Sequence, residues 1–407
     1  MNRLFLDAQS TTPPSSEVVE AMRPYLEDQF ASPASSHYSG KKVRKAIELA
    51  REQVATAFDF DDPEEVIFTA SGTEANNLGV KGILTARKRF GHHVISTPLD
   101  HPSVWFSIQS MIPHGFKHDL WNVDEMGHLL GLECFEKMLC ENTILVSLPV
   151  STPELGVVQS VEPVAKLLAD RGVALMLDAT HGGGWIPLDF SALKPSLVSL
   201  APHRFHGPKG VGILYKRRGV TLEPLIHGGN QESGFRAGTE NVAGIVGAGK
   251  ACELLKQQFR AREEQARNLQ RLLIDLVREK IPSSGILGPG MSEGRICNQL
   301  NLVFEGVEGE ALMLMANVRG LECHTGISCV SRKLENDRIS KATALPDDLF
   351  RSSLLLSWHH EHREKDIHHA VDILSSCVGK LRGMSPVWES MQKGHMASRL
   401  NLLPGRF

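Results

Sequence analysis

The 407-residue sequence predicts an α/β protein, a doubly wound sheet followed by a smaller α+β unit. Three observations carry that expectation. Short apolar runs of strand length alternate with amphipathic helical stretches through the first two thirds of the chain, the pattern of buried parallel strands joined by helices. A long, charged amphipathic stretch from Ala243 to Glu279 then reads as one helix bridging two units. Finally, 407 residues exceed what a single core ordinarily serves, so two domains are expected.

Taken in order, Lys42 to Phe58 places Val43, Ile47, Ala50 and Val54 on one helical face. Glu65 to Thr69 reads as a strand running into the turn Ser71-Gly72-Thr73. Val94 to Ser96, Ile144 to Leu148, Val173 to Leu177 and Leu197 to Ala201 are further apolar runs suited to parallel strands, with Val161 to Ala169 an intervening helix. In such a sheet the site is expected at the C-terminal strand ends. Beyond the long helix, a strand near Asn301 to Phe304 and helices at Gly309 to Val318 and Glu364 to Val378 form the smaller unit. The segment after Met384 is expected to be poorly ordered.

Composition excludes several classes. A net charge of −3 gives no electrostatic case for nucleic acid or anionic membranes. The apolar runs are too short to span a bilayer, and no apolar core of signal-peptide length precedes Asp7. The seven cysteines contain no Cys-x-x-Cys pair and read as reduced thiols, so a cytoplasmic location is expected.

The motifs are more specific. Asp7 to Pro13, Ser32-Pro33-Ala34-Ser35-Ser36-His37, Thr69 to Asn77, Ala201-Pro202-His203-Arg204-Phe205-His206-Gly207-Pro208-Lys209-Gly210 and Gly228 to Asn241 succeed one another along the chain. Together they resemble the NifS-like cysteine desulfurases and selenocysteine lyases, class-V members of the fold-type I pyridoxal-phosphate (PLP) enzymes. The resemblance implies a mostly parallel seven-stranded sheet flanked by helices and a smaller α+β domain. It also implies a homodimer working with a sulfur acceptor or an iron–sulfur scaffold protein. It divides the chain into a large domain at 14–255, a small domain at 1–13 plus 256–383, and a tail at 384–407.

Residue by residue, the resemblance implies that Thr73, His203 and Thr239 face the PLP phosphate, with Thr239 donated by a second subunit. It implies that Asp178 holds the pyridine nitrogen and that His101 stacks on the ring. His181 stands where the family has a glutamine. Cys329, in His324-Thr325-Gly326-Ile327-Ser328-Cys329, matches the cysteine that takes sulfur as a persulfide. The following polar run, Arg332 to Arg338, suits a surface loop.

The departures are as informative. Arg204 stands in place of the lysine that holds PLP as a Schiff base, and a guanidinium offers no free amine. Ala201 replaces a phosphate-binding serine, Pro153 an asparagine, and Leu355 the arginine that grips the substrate carboxylate. Lys209 is the only nearby substitute amine in this motif, at a position whose lysine does not bind PLP in the family. Compensation for the lost lysine is expected as an Asp178–Arg204 pair, direct or through one water, since a buried carboxylate needs a partner.

Cys134, Cys252, Cys297 and Cys377 are expected to be buried, with Cys140 and Cys323 undecided. The run His359-His360-Glu361-His362 has spacing that can bind a metal, but a solvated helix start is the expected reading, and no metal site is assigned. The function expected is that of a desulfurase-like protein of sulfur or iron–sulfur metabolism in which PLP is absent or non-covalent and Cys329 carries a persulfide or helps a partner hold a cluster. The alternatives are an active PLP enzyme using Lys209 or non-covalent PLP, and a non-catalytic scaffold.

Overall fold

The computed structural model describes residues 3–291, 294–325 and 333–403. A two-residue strand β1 (Leu4–Phe5) leads into the large domain, whose strands are β2 (Val66–Thr69), β3 (His93–Ser96), β4 (Lys117–Leu120), β5 (Thr143–Pro149), β6 (Ala174–Asp178), β7 (Leu197–Leu200) and β8 (Gly212–Lys216). They form one seven-stranded sheet in the order β2-β8-β7-β6-β5-β3-β4. All neighbours are parallel except for β8, which runs antiparallel to both β2 and β7.

The reason lies in the sequence: β5 and β6 are apolar along almost their whole length and every residue is buried, as a strand covered on both faces requires. Helices supply the covers. Gly72–Arg87 packs Leu78, Ile83 and Leu84 into one core layer, while Tyr38–Phe58 and Val242–Lys280 build the other through Ile47, Val54, Ile245 and Leu255.

The helix Val242–Lys280 has 39 residues and serves both units, so the boundary expected after residue 255 falls inside it. Beyond it lie β9 (Ser284–Ile286), β10 (Gln299–Phe304), β11 (Leu321–Glu322) and β12 (Ser353–Ser357). Strands β9, β10 and β12 form an antiparallel sheet with β10 central, and β11 pairs with β1. The helices Gly309–Val318 and Glu364–Arg382 pack on this unit. Among the described residues no helix is long and apolar enough to cross a membrane.

Four expectations are corrected. The tail is ordered as far as Leu403: Pro386–Gln392 is helical with Ser385 as its cap, Arg382 lies 4.1 Å from the Trp388 ring, and Leu403 is buried. Glu305 anchors it, one carboxylate oxygen accepting from the Ser398 hydroxyl and the backbone N–H groups of Arg399 and Leu400. Cys134 is exposed rather than buried, because the seven-residue helix Leu132–Met138 buries only Phe135; Cys252, Cys297 and Cys377 are buried as expected. The polar stretch before Arg338 is not loop throughout, since a helix runs over Lys333–Thr343. The histidine run is not solvated: His359 and His362 are buried, folded against the segments around Phe5 and His206.

Candidate functional site

The site collects at the C-terminal ends of β2, β6 and β7. The chain leaves β2 into a turn that starts the helix Gly72–Arg87. Ser71 caps that helix by accepting the Glu74 N–H, and Thr73 sits exposed in its first turn among free backbone N–H groups, an arrangement that favours an anion. The turn is tight. A Cβ on Gly72 would stand 2.8 Å from Thr180 Cγ2, and one on Gly212 of β8 would meet the Ser71 carbonyl at 2.2 Å. Ala201 Cβ lies 3.3 Å from the same Gly72 position, so a hydroxyl is missing from the wall of this cradle.

Asp178 ends β6 and is buried. Its Oδ1 accepts from the Thr180 N–H at 2.9 Å, the Thr180 hydroxyl at 2.6 Å and the Ser199 hydroxyl at 3.2 Å; its Oδ2 accepts from Asn76 Nδ2 at 2.8 Å. A direct Asp178–Arg204 ion pair is not formed among the described residues. Four neutral donors satisfy the carboxylate instead, and Arg204 turns its Nη1 to the Thr180 carbonyl at 3.4 Å.

Asn76 also donates to Ser103 Oγ at 2.9 Å, and Ser103 Oγ lies 2.7 Å from His101 Nδ1. Because His101 Nδ1 accepts the Ser103 backbone N–H as cap of the helix Pro102–Gln109, neutral His101 carries its proton on Nε2. A hydrogen-bonded chain thus joins Asp178, Asn76, Ser103 and His101. Sequence reasoning missed Asn76, Ser103 and Ser199; Asn76 lay in a quoted motif without a role.

His181 is buried, and burial first, then the Arg204 guanidinium and His101, push its pKa well below the usual histidine range. Its Nε2 has no hydrogen-bond partner among the described residues. His203 is half-buried and bonded through Nδ1 to Thr11 Oγ1 at 3.1 Å, and burial with the charges of Arg204 and Lys209 lowers it to about 4. It therefore pins the N-terminal segment as well as facing the site.

Thr239 is exposed. Its loop is docked beside Thr73 by the 3.0 Å Arg236–Glu74 ion pair. The same loop is held at Glu232, which takes a two-point contact from Arg51 at 2.9 Å and the Phe68 N–H. Asp100 is buried, and burial pushes its carboxyl up to about 7. Arg338, also unforeseen from the sequence, donates to the Asp100 carbonyl and lies 4.2 Å from the Trp105 ring, tying the helix Lys333–Thr343 to this edge. Leu355 is buried in β12, backbone-paired to His324. The Pro153 carbonyl accepts from Gln299 Nε2 at 2.9 Å. Cys329 lies outside the described residues. Cys323 is half-buried, and burial together with Asp7 raises its thiol to about 12, so it is a poor nucleophile.

The chain matches the family model described as Aminotransferase class-V over residues 4–362. It is 35% identical over 394 residues to the cysteine desulfurase IscS of Clostridium botulinum, covering 97% of this chain and 99% of that protein. Among solved structures, a NifS-like protein superimposes with a TM-score of 0.86 at 28% identity, covering 93% of this chain and all of that one. The structure described as SspA in complex with cysteine matches with a TM-score of 0.75 at 26% identity, over 87% of this chain and 98% of that chain. The chain therefore belongs to the class-V aminotransferase family. Within it, the chain is a member of the IscS/NifS cysteine desulfurase group, a PLP-dependent family with this fold.

The residues here fit that cofactor only in part. The helix N-terminus at Thr73 and the Asp178 carboxylate match two of its needs, and the Nε2 of buried His181 has no partner among the described residues. The amine is missing. Arg204 occupies the lysine's place in the motif, and Lys209 is exposed beyond the Gly207-Pro208 turn. A guanidinium at position 204 cannot hold PLP as a Schiff base.

Proposed function

We propose that this protein is a cysteine desulfurase homologue that has given up Schiff-base catalysis and serves sulfur or iron–sulfur metabolism as a sulfur relay through Cys329. The observation that carries the reading is Arg204, half-buried at the site and directed to the Thr180 carbonyl, with Lys209 turned outward. The changes at Ala201, Pro153 and Leu355 support it, because each removes a polar group that PLP or an amino-acid substrate uses in the family.

In the relay the Cys329 thiolate attacks the outer sulfur of a donor persulfide. A new persulfide forms on Cys329 and the donor leaves as a thiolate, with no net oxidation. The family resemblance supports a homodimer in which Thr239 completes the partner's phosphate cradle, a cytoplasmic location, and a thiol acceptor or iron–sulfur scaffold as client.

The test has two arms. Borohydride treatment in the presence of PLP, followed by peptide mapping, yields no lysine adduct. Incubation with a persulfide donor labels the chain, and Cys329→Ser removes most of that label. A pyridoxyl adduct on Lys209 or any other pocket lysine, or sulfide release from free cysteine, overturns the loss of catalysis. Labelling unaffected by Cys329→Ser overturns the relay and leaves a binding scaffold.

The buried, open Nε2 of His181 favours a second reading, in which the pocket binds PLP or a similar planar anion reversibly. Equilibrium dialysis with PLP distinguishes it: saturable binding lost on His181→Leu supports it, and absence of binding removes it.

A further inference from the structure

Behind the Arg204 turn lies a second group of chemistry-bearing side chains. The turn Pro202–Arg204 continues into Phe205 and His206, and His206 adopts φ +70°, a left-handed conformation uncommon for a residue with a Cβ. That backbone directs its imidazole into the small domain, where His359 and His360 follow β12. One ring nitrogen of each of His206, His359 and His360 lies within 4.8 Å of the others. The His206 ring centroid is 4.4 Å from that of His360 and 5.0 Å from that of His359.

The hydrogen bonds fix which nitrogens are open. His206 Nδ1 lies 2.9 Å from the Pro13 carbonyl, so it must donate and carry the proton. That leaves the His206 Nε2 lone pair, on a residue only 2% exposed, without a partner among the described residues. His360 Nδ1 is likewise buried and unpartnered. His359 Nδ1 accepts the Glu361 N–H at 3.3 Å and lies 3.7 Å from the Glu361 carboxylate; to ligate through Nε2 the ring must shift its proton to Nδ1, where that carboxylate can accept it.

His362 is not free to ligate. Its Nε2 donates to the Phe5 carbonyl at 2.8 Å and its Nδ1 accepts the His359 N–H at 3.1 Å, so it is a positioning residue for His359. Burial disfavours the protonated form of all three candidate ligands.

Buried polar atoms ordinarily have partners, and two open nitrogens in one cluster call for an explanation. Water would satisfy one atom; three converging neutral imidazoles suit a metal better. The charges around the cluster are mixed. Arg262 and Arg363 oppose a cation, while Glu17 and the Glu361 carboxylate favour it. At the usual Zn–N distance of about 2.1 Å, tetrahedral ligand nitrogens stand roughly 3.4 Å apart, so the rings must close in slightly. His360, which is only half-buried, is the one placed to move.

We propose that His206, His359 and His360 form a three-histidine site for a borderline divalent transition cation, Zn(II) foremost, with water as fourth ligand. The ion fastens the turn that carries Arg204 to the small domain, and through Pro13 and Phe5 to the N-terminal segment. The site is independent of the sulfur-relay reading and stands or falls without it.

Chelator-treated protein titrated with Zn(II) binds one tight equivalent per chain, and its Tm rises with metal concentration. Co(II) in place of Zn(II) gives the intense visible bands of a tetrahedral nitrogen site. His359→Asn combined with His360→Asn loses the tight equivalent and the Tm response. His368→Asn combined with His369→Asn, a pair exposed on the helix Glu364–Arg382, keeps both. His360→Asn alone, checked for native circular dichroism, covers the case in which the double variant does not fold, and it also weakens binding. No saturable equivalent, or binding lost in the His368/His369 variant and kept in the His359/His360 variant, overturns the proposal.

Discussion

The two poles of the site contrast sharply. At Asp178 every bond is inherited from rigid elements: Asn76 from the helix Gly72–Arg87, Ser199 from β7, and Thr180 from the turn after β6. At Arg204 the guanidinium reaches a loop carbonyl, that of Thr180, at 3.4 Å. The acid is held by neutral donors that would be present whatever residue stood at position 204. This teaches why the lysine could be lost without unfolding the protein. The carboxylate does not depend on a cation from that side, so the substitution at position 204 leaves the scaffold satisfied.

The largest effect should therefore follow from Asp178→Ala. It strands the Asn76, Ser199 and Thr180 donors in a buried place, and each unpaired buried donor costs about 1–3 kcal/mol. A loss of roughly 3 kcal/mol or more is expected in urea unfolding. Arg204→Gln should change the same midpoint by less than about 1 kcal/mol. If Arg204→Gln costs as much as Asp178→Ala, the guanidinium is structurally essential and the contrast is wrong.

The second prediction concerns pH at the Asp178 pole. Asp100 has a folded-state pKa of about 7 against an ordinary value of 3.8, raised by burial, with Asp178 adding to the rise and Ser96, Thr97 and Arg338 opposing it. A raised carboxyl favours folding while both states are protonated. That contribution is present below pH about 4 and is lost progressively as pH climbs to about 7, amounting to a few kcal/mol at most. Asp100→Asn should flatten this decline, so the variant gains on the wild type as pH rises from about 4 to 7. Parallel stability profiles for the two proteins would show that Asp100 stays ionised.

Much of this architecture was legible in the sequence. The apolar runs at Ile144 to Leu148 and Val173 to Leu177 could be little else than buried strands, and β5 and β6 lie there. The motif residues Asp178, His181 and Arg204 do meet around one place, the turn Ala179 to His181. The chain from Asp178 through Asn76 to Ser103 was not legible, because it joins residues 102 and 27 positions apart by side-chain geometry alone. The histidine run misled for a similar reason: its burial depends on Phe5, Pro13 and His206, none of which is local to it. The tail looked disordered because its anchors, Glu305 and Arg382, lie outside it.

The smallest expected change in stability, and the sharpest chemical test of the contrast, is Arg204→Lys. Lysine is shorter and offers one rotatable ammonium in place of a planar fork, but the Asp178 network does not use the guanidinium. The unfolding midpoint should move by no more than about 1 kcal/mol. The Asp178 pole is intact, so restoring the amine should let PLP be trapped by borohydride at position 204, where the wild-type chain gives no adduct. Sulfide release from cysteine should nevertheless stay at background, because Ala201, Pro153 and Leu355 still lack the groups that would orient cofactor and substrate. Trapping without turnover would mean that the lysine was one loss among several. Turnover at the level of active relatives would mean that the rest of the site remains competent and that Arg204 alone silences it. Failure to trap PLP at all would mean that the Asp178 pole, however well satisfied, no longer receives the ring.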